Sequence, residues 1–404
     1  MPNGPSVTPQ QTVERALSLA KPGSDCVVIA EESSTANLRW AANTLTTNGV
    51  AMSRGLTVIA IDRRPDGSAG VGTVRRTGLR PDQVEDLVRE AEKAASQASA
   101  AEDVADLPAP DASVRSGQSW ELIPQTTEVG VFRGFAADLG ETLRAAEAAG
   151  RKLYGFAEHG VTSLFLGTSA GVRLRYDQPA GRIELNAKSP DMSRSAWDGV
   201  ATRDFADVDV AALDAGLAQR LSWQSRRIDL PAGRYETLLP PTATSDLMTY
   251  MYWSAGARDA AEGRTVFSRA VSPRPTSPDL PPGGGTRVGE RLASLPVSVY
   301  SDPSYPGLET TPFVVAGASG RDVSVFDNGL PAGRASWISD GVLGALHSSR
   351  FSAAKAGLPV TPAVDNLIMS APGASASLPD MISSTRRGLL LTCLWYIREV
   401  DPRT

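Results

Sequence analysis

Apolar residues recur along this chain with two different periods. Over residues 10–20, Val13, Ala16, Leu17 and Leu19 fall on one side of a helix, so a first helix is predicted there. The period then shortens. Asp25-Cys-Val-Val-Ile-Ala-Glu31 and Leu56-Thr-Val-Ile-Ala-Ile-Asp62 are short β-branched runs that read as strands. Residues 37–49 lie between them, and their Asn48-Gly49 pair is a turn signal. Asp66-Gly67, followed by Ala69-Gly-Val-Gly-Thr-Val74, predicts a hairpin returning to the same sheet. Pro81 opens a long helix to about Gln97, with an acidic first turn suited to the positive end of the helix dipole. Its Val84, Leu87, Val88 and Ala91 should lie on the sheet.

Residues 98–118 are small, polar and proline-punctuated, and read as a connector. A helix is predicted over 138–153. Segments 162–168, 171–176 and 182–187 then alternate with period two, with Gly and Gln178-Pro179 at the joints, which predicts an antiparallel meander. A further helix covers 208–227, and 231–240 reads as strand and turn. Residues 271–285 are rich in Pro, Gly and Ser. Their Gly283-Gly-Gly285 lacks the Gly-Lys-Ser/Thr of a phosphate loop, so a flexible connector is predicted. The expected fold is α+β: an N-terminal α/β unit with an antiparallel sheet (1–120), a central antiparallel meander with helices (121–230), and a larger strand-rich C-terminal core with mixed and antiparallel sheets (231–404).

The 404 residues are 41% hydrophobic, enough for a sizeable core, and carry 37 glycines and 29 prolines, as a turn-rich chain would. A net charge of −5 with pI near 5.3 leaves no basic footprint for nucleic acid or an anionic membrane. No uncharged run approaches the ~20 residues that span a bilayer, and the start has no signal-peptide pattern. A cytoplasmic, soluble protein is expected. The two cysteines, Cys26 and Cys393, sit in apolar settings and are expected to be reduced core residues. The two histidines, His159 and His347, lie far apart in sequence, neither with a His, Cys or Glu partner at helical spacing. A solvated or turn-packed ring is expected for His159 and the flank of an amphipathic helix for His347.

The last residues carry the most specific string: Thr385-Arg-Arg-Gly-Leu-Leu-Leu-Thr-Cys-Leu-Trp-Tyr-Ile-Arg-Glu-Val-Asp-Pro-Arg-Thr404, in which 389–397 reads as a strand. Together with Ser301-Asp-Pro303, Phe326-Asp-Asn-Gly-Leu-Pro331, Ile338-Ser-Asp-Gly-Val-Leu343 and residues 37–49, it resembles the TldD/PmbA family of metallopeptidase subunits, also called modulators of DNA gyrase. In that family one subunit carries a zinc-binding His-Glu-x-x-x-His helix and its TldE-like sister lacks it. The motif precedes a Gly-x-x-x-Phe-Ser string, here Gly263-Arg-Thr-Val-Phe-Ser268. By that anchor, its ligand positions hold Met248 and Trp253 and its base position holds Thr249. A thioether is a poor zinc ligand beside N and O donors, threonine has no carboxylate, and an indole cannot accept.

The resemblance therefore implies a non-catalytic subunit with no metal of its own. A zinc-bearing TldD-like partner would complete a heterodimer that hydrolyses peptides or small amides. Family members process modified peptides, and some relatives serve antibiotic pathways. They commonly continue past Asp-Pro-Arg-Thr, and catalytic ones take a cysteine ligand from there; Cys393 is not at that position. The run 247–253 either fills a core or subunit contact, or places Tyr250, Tyr252 or Trp253 on a wall of the shared cleft. Trp395 and Arg398 are further candidates for contact with a substrate lying along strand 389–397, or else plain core and a solvated strand end. A zinc-independent hydrolase is disfavoured, since no Gly-x-Ser-x-Gly occurs. A peptide-binding or scaffold protein with no role in hydrolysis is the alternative.

Overall fold

Thr8 starts the first helix with a reciprocal cap. Its hydroxyl accepts the Gln11 N–H at 3.2 Å, and the Gln11 side chain accepts the Thr8 N–H at 3.0 Å. This helix, α1 (Pro9–Leu19), agrees with its apolar spacing. The computed structural model describes residues 7–112, 114, 119–269, 285–394 and 396–403. The chain divides into two compact units, the first made of Met1–Arg63, Gly70–Ala98 and Ser116–Leu230, the second of Arg64–Ala69, Ser99–Arg115 and Pro231–Thr404.

In the first unit, β1 (Asp25–Ala41) and β2 (Thr44–Arg63) run far beyond the two predicted apolar stretches and pair along their whole length. Their turn is at Ala42 (φ 48°) and Asn43 (φ 64°), not at Asn48-Gly49, which lies inside β2. A tight hairpin of this kind needs positive φ at both central residues, which Asn tolerates well. Asn43 gains further support from the start of β4 (Lys152–Thr168): its side chain donates to Arg151 O at 2.8 Å and accepts the Leu153 N–H at 2.7 Å.

The hairpin at Asp66-Gly67 is present, with Gly67 at φ 83°, and leads into β3 (Ala69–Thr77). After a 3-10 turn at Pro81–Gln83, α2 (Val84–Gln97) buries Val84, Leu87, Val88 and Ala91 as its spacing predicts. At Gly72 a Cβ would stand 2.2 Å from Ala91 O, so only glycine lets the helix approach this closely. Next, α3 (Arg133–Ala148) begins and ends earlier than its apolar pattern suggests. Gly150 (φ 71°) turns the chain, and Leu153 belongs to β4.

The three segments expected as a meander make only two strands: 162–168 is the end of β4, while 171–176 and 182–187 fall in one strand, β5 (Arg173–Lys188). The third strand is β6 (Ser195–Thr202), which the pattern does not predict, followed by α4 (Val210–Trp223), which Asp209 caps through the Ala212 N–H at 2.9 Å. Gln178-Pro179 is within β5 rather than at a joint. The β6 strand reaches only to Gly181, so Pro179 sits where β5 has a free edge and a missing N–H costs least. All six strands make one antiparallel sheet in the order β3-β2-β1-β4-β5-β6.

Two apolar clusters hold the helices to this sheet. Val13, Val28, Leu56, Val58, Leu87, Val88 and Phe165 form one, and Leu38, Trp40, Phe132, Phe135, Leu139, Ile183 and Leu217 the other. Polar side chains tie down residues 119–127. Arg175 donates to Ser119 O and Ile123 O, Ser163 Oγ accepts the Gln125 N–H at 3.0 Å, and Ser34 Oγ accepts the Thr127 N–H at 2.8 Å. His159 corrects its solvated or turn-packed expectation. It is buried in β4, with Nδ1 2.6 Å from Thr127 Oγ1 and Nε2 2.8 Å from Arg203 O. Its flanking glycines suggested a loop but lie in paired strand.

The second unit begins with β7 (Glu236–Leu238), α5 (Pro241–Trp253) and α6 (Ala257–Ala261). It continues with β8 (Ser298–Ser301), β9 (Ala335–Ser339), β10 (Val342–Leu343), α7 (Arg350–Ala356), β11 (Ile368–Ser370), α8 (Leu378–Ser384) and β12 (Gly388–Leu390). An antiparallel sheet has the order β10-β9-β8-β11, and β12 pairs parallel to β7. The α+β class with mixed and antiparallel C-terminal sheets is thus observed. The strand expected over 389–397 ends at Leu390, which leaves Cys393 exposed instead of in a core. Cys26 is buried, and that burial pushes its thiol up to about 12. The connector expected at 271–285 lies outside the described residues except for Gly285. No helix among the described residues is long and apolar enough to cross a membrane.

Candidate functional site

Pro241 at the first helical position starts α5, and Ser254 stops it by donating its N–H to Tyr250 O at 3.2 Å. Between them Ser245, Met248, Thr249, Tyr252 and Trp253 share one face, as residues three and four apart must. That face forms one wall of an open groove of about 440 Å³; Val364, Asp365, Asn366, Leu367 and Met369 line the rest. One lining residue, Met369, belongs to β11, the terminal strand of its sheet, which has no second strand partner among the described residues.

Each side chain has a definite setting. Met248, Met251 and Tyr252 pack on the buried cluster of Ala255, Val299, Trp337, Leu343 and Leu346. The Tyr252 hydroxyl accepts the Val364 N–H at 2.9 Å and donates to Val364 O at 3.2 Å. Burial pushes this phenol up to about 12, with the charge of Asp365 adding to the effect, so it stays protonated. Its ring is 5.2 Å from those of Trp337 and His347. Thr249 Oγ1 donates back to Ser245 O at 2.9 Å, and Trp253 is 68% exposed with its ring 5.1 Å from Tyr250.

The structure therefore brings Met248, Thr249, Tyr252 and Trp253 together on the groove. Tyr250 sits behind Trp253 and does not line it. Arg398 is exposed and away from the groove lining, and Trp395 lies outside the described residues. Residues 364–369 were not singled out in the sequence. They form only a three-residue strand with its approach, too short to show a period. Asn366 fixes their course by accepting the Asp302 N–H at 3.0 Å and donating to Asp302 O at 2.7 Å.

A zinc ion does not fit these residues. Met248 offers a thioether, Thr249 has its hydroxyl proton committed to the helix, and the indole of Trp253 only donates. Among the described residues no group of three or more His, Cys, Asp or Glu side chains stands close enough to hold a metal. The groove combines an aromatic wall with one carboxylate, that of Asp365.

His347 lies below this wall, not on a helix. It bridges to Gly256 ahead of α7, with Nε2 3.1 Å from Tyr252 O and Nδ1 buried without a partner. Burial lowers its pKa below the ordinary 6.5, against the opposing pull of Asp322. The unfolded chain therefore binds the proton more readily than the folded one. The stability His347 supports is complete above about pH 6.5 and is lost as pH falls below it, by at most ~1.4 kcal/mol per pH unit. In urea titrations stepped downward from neutrality, His347→Gln should flatten this fall; equal slopes in both proteins would refute the assignment.

The fold is α+β, in two compact units. Residues 232–404 match the model of the PmbA/TldA metallopeptidase C-terminal domain. The chain's fold is similar to that of TldE from Thermococcus kodakarensis, with TM-score 0.69 and 16% identity over 97% of this chain and 83% of that one. A protein from Thermotoga maritima MSB8, described as a candidate modulator of a DNA gyrase, aligns with TM-score 0.67 and 18% identity over 95% of this chain and 82% of that chain. One from Bacteroides thetaiotaomicron, similarly described, gives TM-score 0.68 and 15% identity over 98% of this chain and 83% of that one. No curated protein matches the chain.

Proposed function

We propose that this chain is the non-catalytic, TldE/PmbA-like subunit of a peptide- or amide-hydrolysing heterodimer. A zinc-bearing TldD-like subunit supplies the metal and the base, and this chain shapes the chamber in which the substrate lies. The observation that carries this reading is the α5 wall. Met248, Thr249 and Trp253, the positions that the family resemblance sets against a catalytic sister's ligands and base, line a groove. In this role Trp253 and Tyr252 offer ring faces to substrate side chains, and the outer edge of β11 offers main-chain hydrogen bonds that tolerate varied sequences. The substrates are unfolded peptides or small amides, including modified peptides of the kind matured in antibiotic biosynthesis.

Co-expression with a TldD-like subunit should yield a 1:1 complex with peptidase activity, while this chain alone binds no zinc and cleaves nothing. In that complex Trp253→Ala should lower kcat/KM about tenfold, equivalent to ~1.4 kcal/mol of lost transition-state binding, with zinc content unchanged. Stoichiometric zinc on the lone, active chain would overturn the proposal.

A further inference from the structure

The outer edge of β2 is bare over half its length. The adjoining strand β3 ends at Thr77, and its last contact with β2 is the Gly78 N–H donating to Arg54 O at 2.9 Å. From Ser53 back to Thr44 the strand has β1 on one side and, among the described residues, no strand on the other. Since the Arg54 carbonyl points outward, antiparallel alternation turns the N–H and C=O of Met52, Val50 and Asn48 outward as well. An open row of backbone donors and acceptors is a template for another strand.

Proteins normally guard such an edge with charge or proline, and this sheet does so elsewhere. The neighbouring outer strand β3 carries Arg75 and Arg76, each paired with a glutamate. At the opposite edge, β6 carries Asp198. From Thr44 to Ser53, Thr-Leu-Thr-Thr-Asn-Gly-Val-Ala-Met-Ser, there is neither a charge nor a proline, in a chain that is 21% charged. Apolar side chains are left in the open instead: Leu45 is 52% exposed, Val50 45% and Met52 70%.

We propose that this edge pairs with the same edge of a second copy of the chain, antiparallel, about a two-fold axis at Val50. The axis sets Val50 against its symmetry mate and Asn48 against Met52, so a β-branched pair stands at the centre and no like charges oppose. A second copy also suits the edge better than a free peptide. Its strand is already ordered by pairing with β1, whereas a peptide must be ordered on binding. The inference is independent of the heterodimer reading, because the edge belongs to the first unit and the α5 groove to the second.

Sedimentation of the full-length chain alone, without any TldD-like subunit, tests it. The wild type should show a concentration-dependent dimer. Val50→Lys and Val50→Glu should each weaken that dimer at least about tenfold, with unchanged far-UV circular dichroism. Mixing the two variants should restore association, because opposite charges then meet at the axis. A wild type that stays monomeric, a Val50→Lys variant that dimerises like wild type, or a mixture that fails to recover would each overturn the proposal. So would an edge that binds extended peptides while the chain remains a monomer. Failure here leaves the zinc-dependent activity of the mixed complex untouched.

Discussion

Asp177→Ala is expected to destabilise the first unit by about 3–5 kcal/mol, the usual cost of leaving a buried charge without its partner. Arg175 and Asp177 are neighbours on one face of β5, each side chain only 1% exposed, with Nη2 and Oδ2 2.7 Å apart. The guanidinium also lies over the Phe165 ring at 5.2 Å and holds the carbonyls of Ser119 and Ile123. Without the carboxylate, a cation would remain in an apolar setting and the course of 119–127 would loosen. The pair is not fully satisfied even in the native state, since Arg175 Nε and Asp177 Oδ1 have no protein partner. Replacing both residues by leucine should therefore cost less than removing the aspartate alone. Guanidinium titrations of the three proteins decide the matter, and a double variant weaker than Asp177→Ala would contradict this account.

Trp337→Ala should have a similar cost in the second unit, about 3–5 kcal/mol, and should also affect the groove. The ring is 2% exposed, its Nε1 donates to Ser301 Oγ at 2.8 Å, and it stands under Tyr252. Truncation would open a cavity, deprive Ser301 Oγ of that donor, and let Tyr252 sink away from Val364. Trp337→Phe keeps most of the volume but not the hydrogen bond, so an intermediate loss is expected. Calorimetry of the chain and peptide turnover in the co-expressed complex should fall in the same order. A Trp337→Ala chain that melts like wild type would show that the aromatic stack does not support the wall.

The first unit was legible where a segment is half-buried and long enough to show a period. That holds for α1, α2 and the end of β4, whereas β5 joins two segments expected as separate strands and β6 carries no pattern that predicts it. It failed where tertiary pairing overrides local signals. Asn48-Gly49 looks like a turn, but a turn there would break the register that places Ala36, Leu38 and Trp40 against the helices. The Asn43 turn depends instead on contacts to Arg151 and Leu153, more than a hundred residues away. His159 was misplaced for the same reason, since its partners come from Thr127 and Arg203. In the second unit, strands of two to five residues are too short to carry a pattern. The groove wall could be located from the absence of ligands at Met248, Thr249 and Trp253, whereas its facing residues 364–369 could not, because only the folded sheet places them opposite α5.

The parallel contact between β7 and β12 has a consequence for synthesis. It joins Glu236–Leu238 to Gly388–Leu390, and Leu391 adds one more bond to Leu238 O at 3.1 Å. During translation, the stretch that launches α5 must wait for its companion until residue 388 has been polymerised and has left the exit tunnel. Nearly all of the intervening chain is therefore extruded first, and the loop-closure entropy of so distant a pairing is met late. The strand that launches α5 therefore gains its partner only after the chain between the two has been extruded.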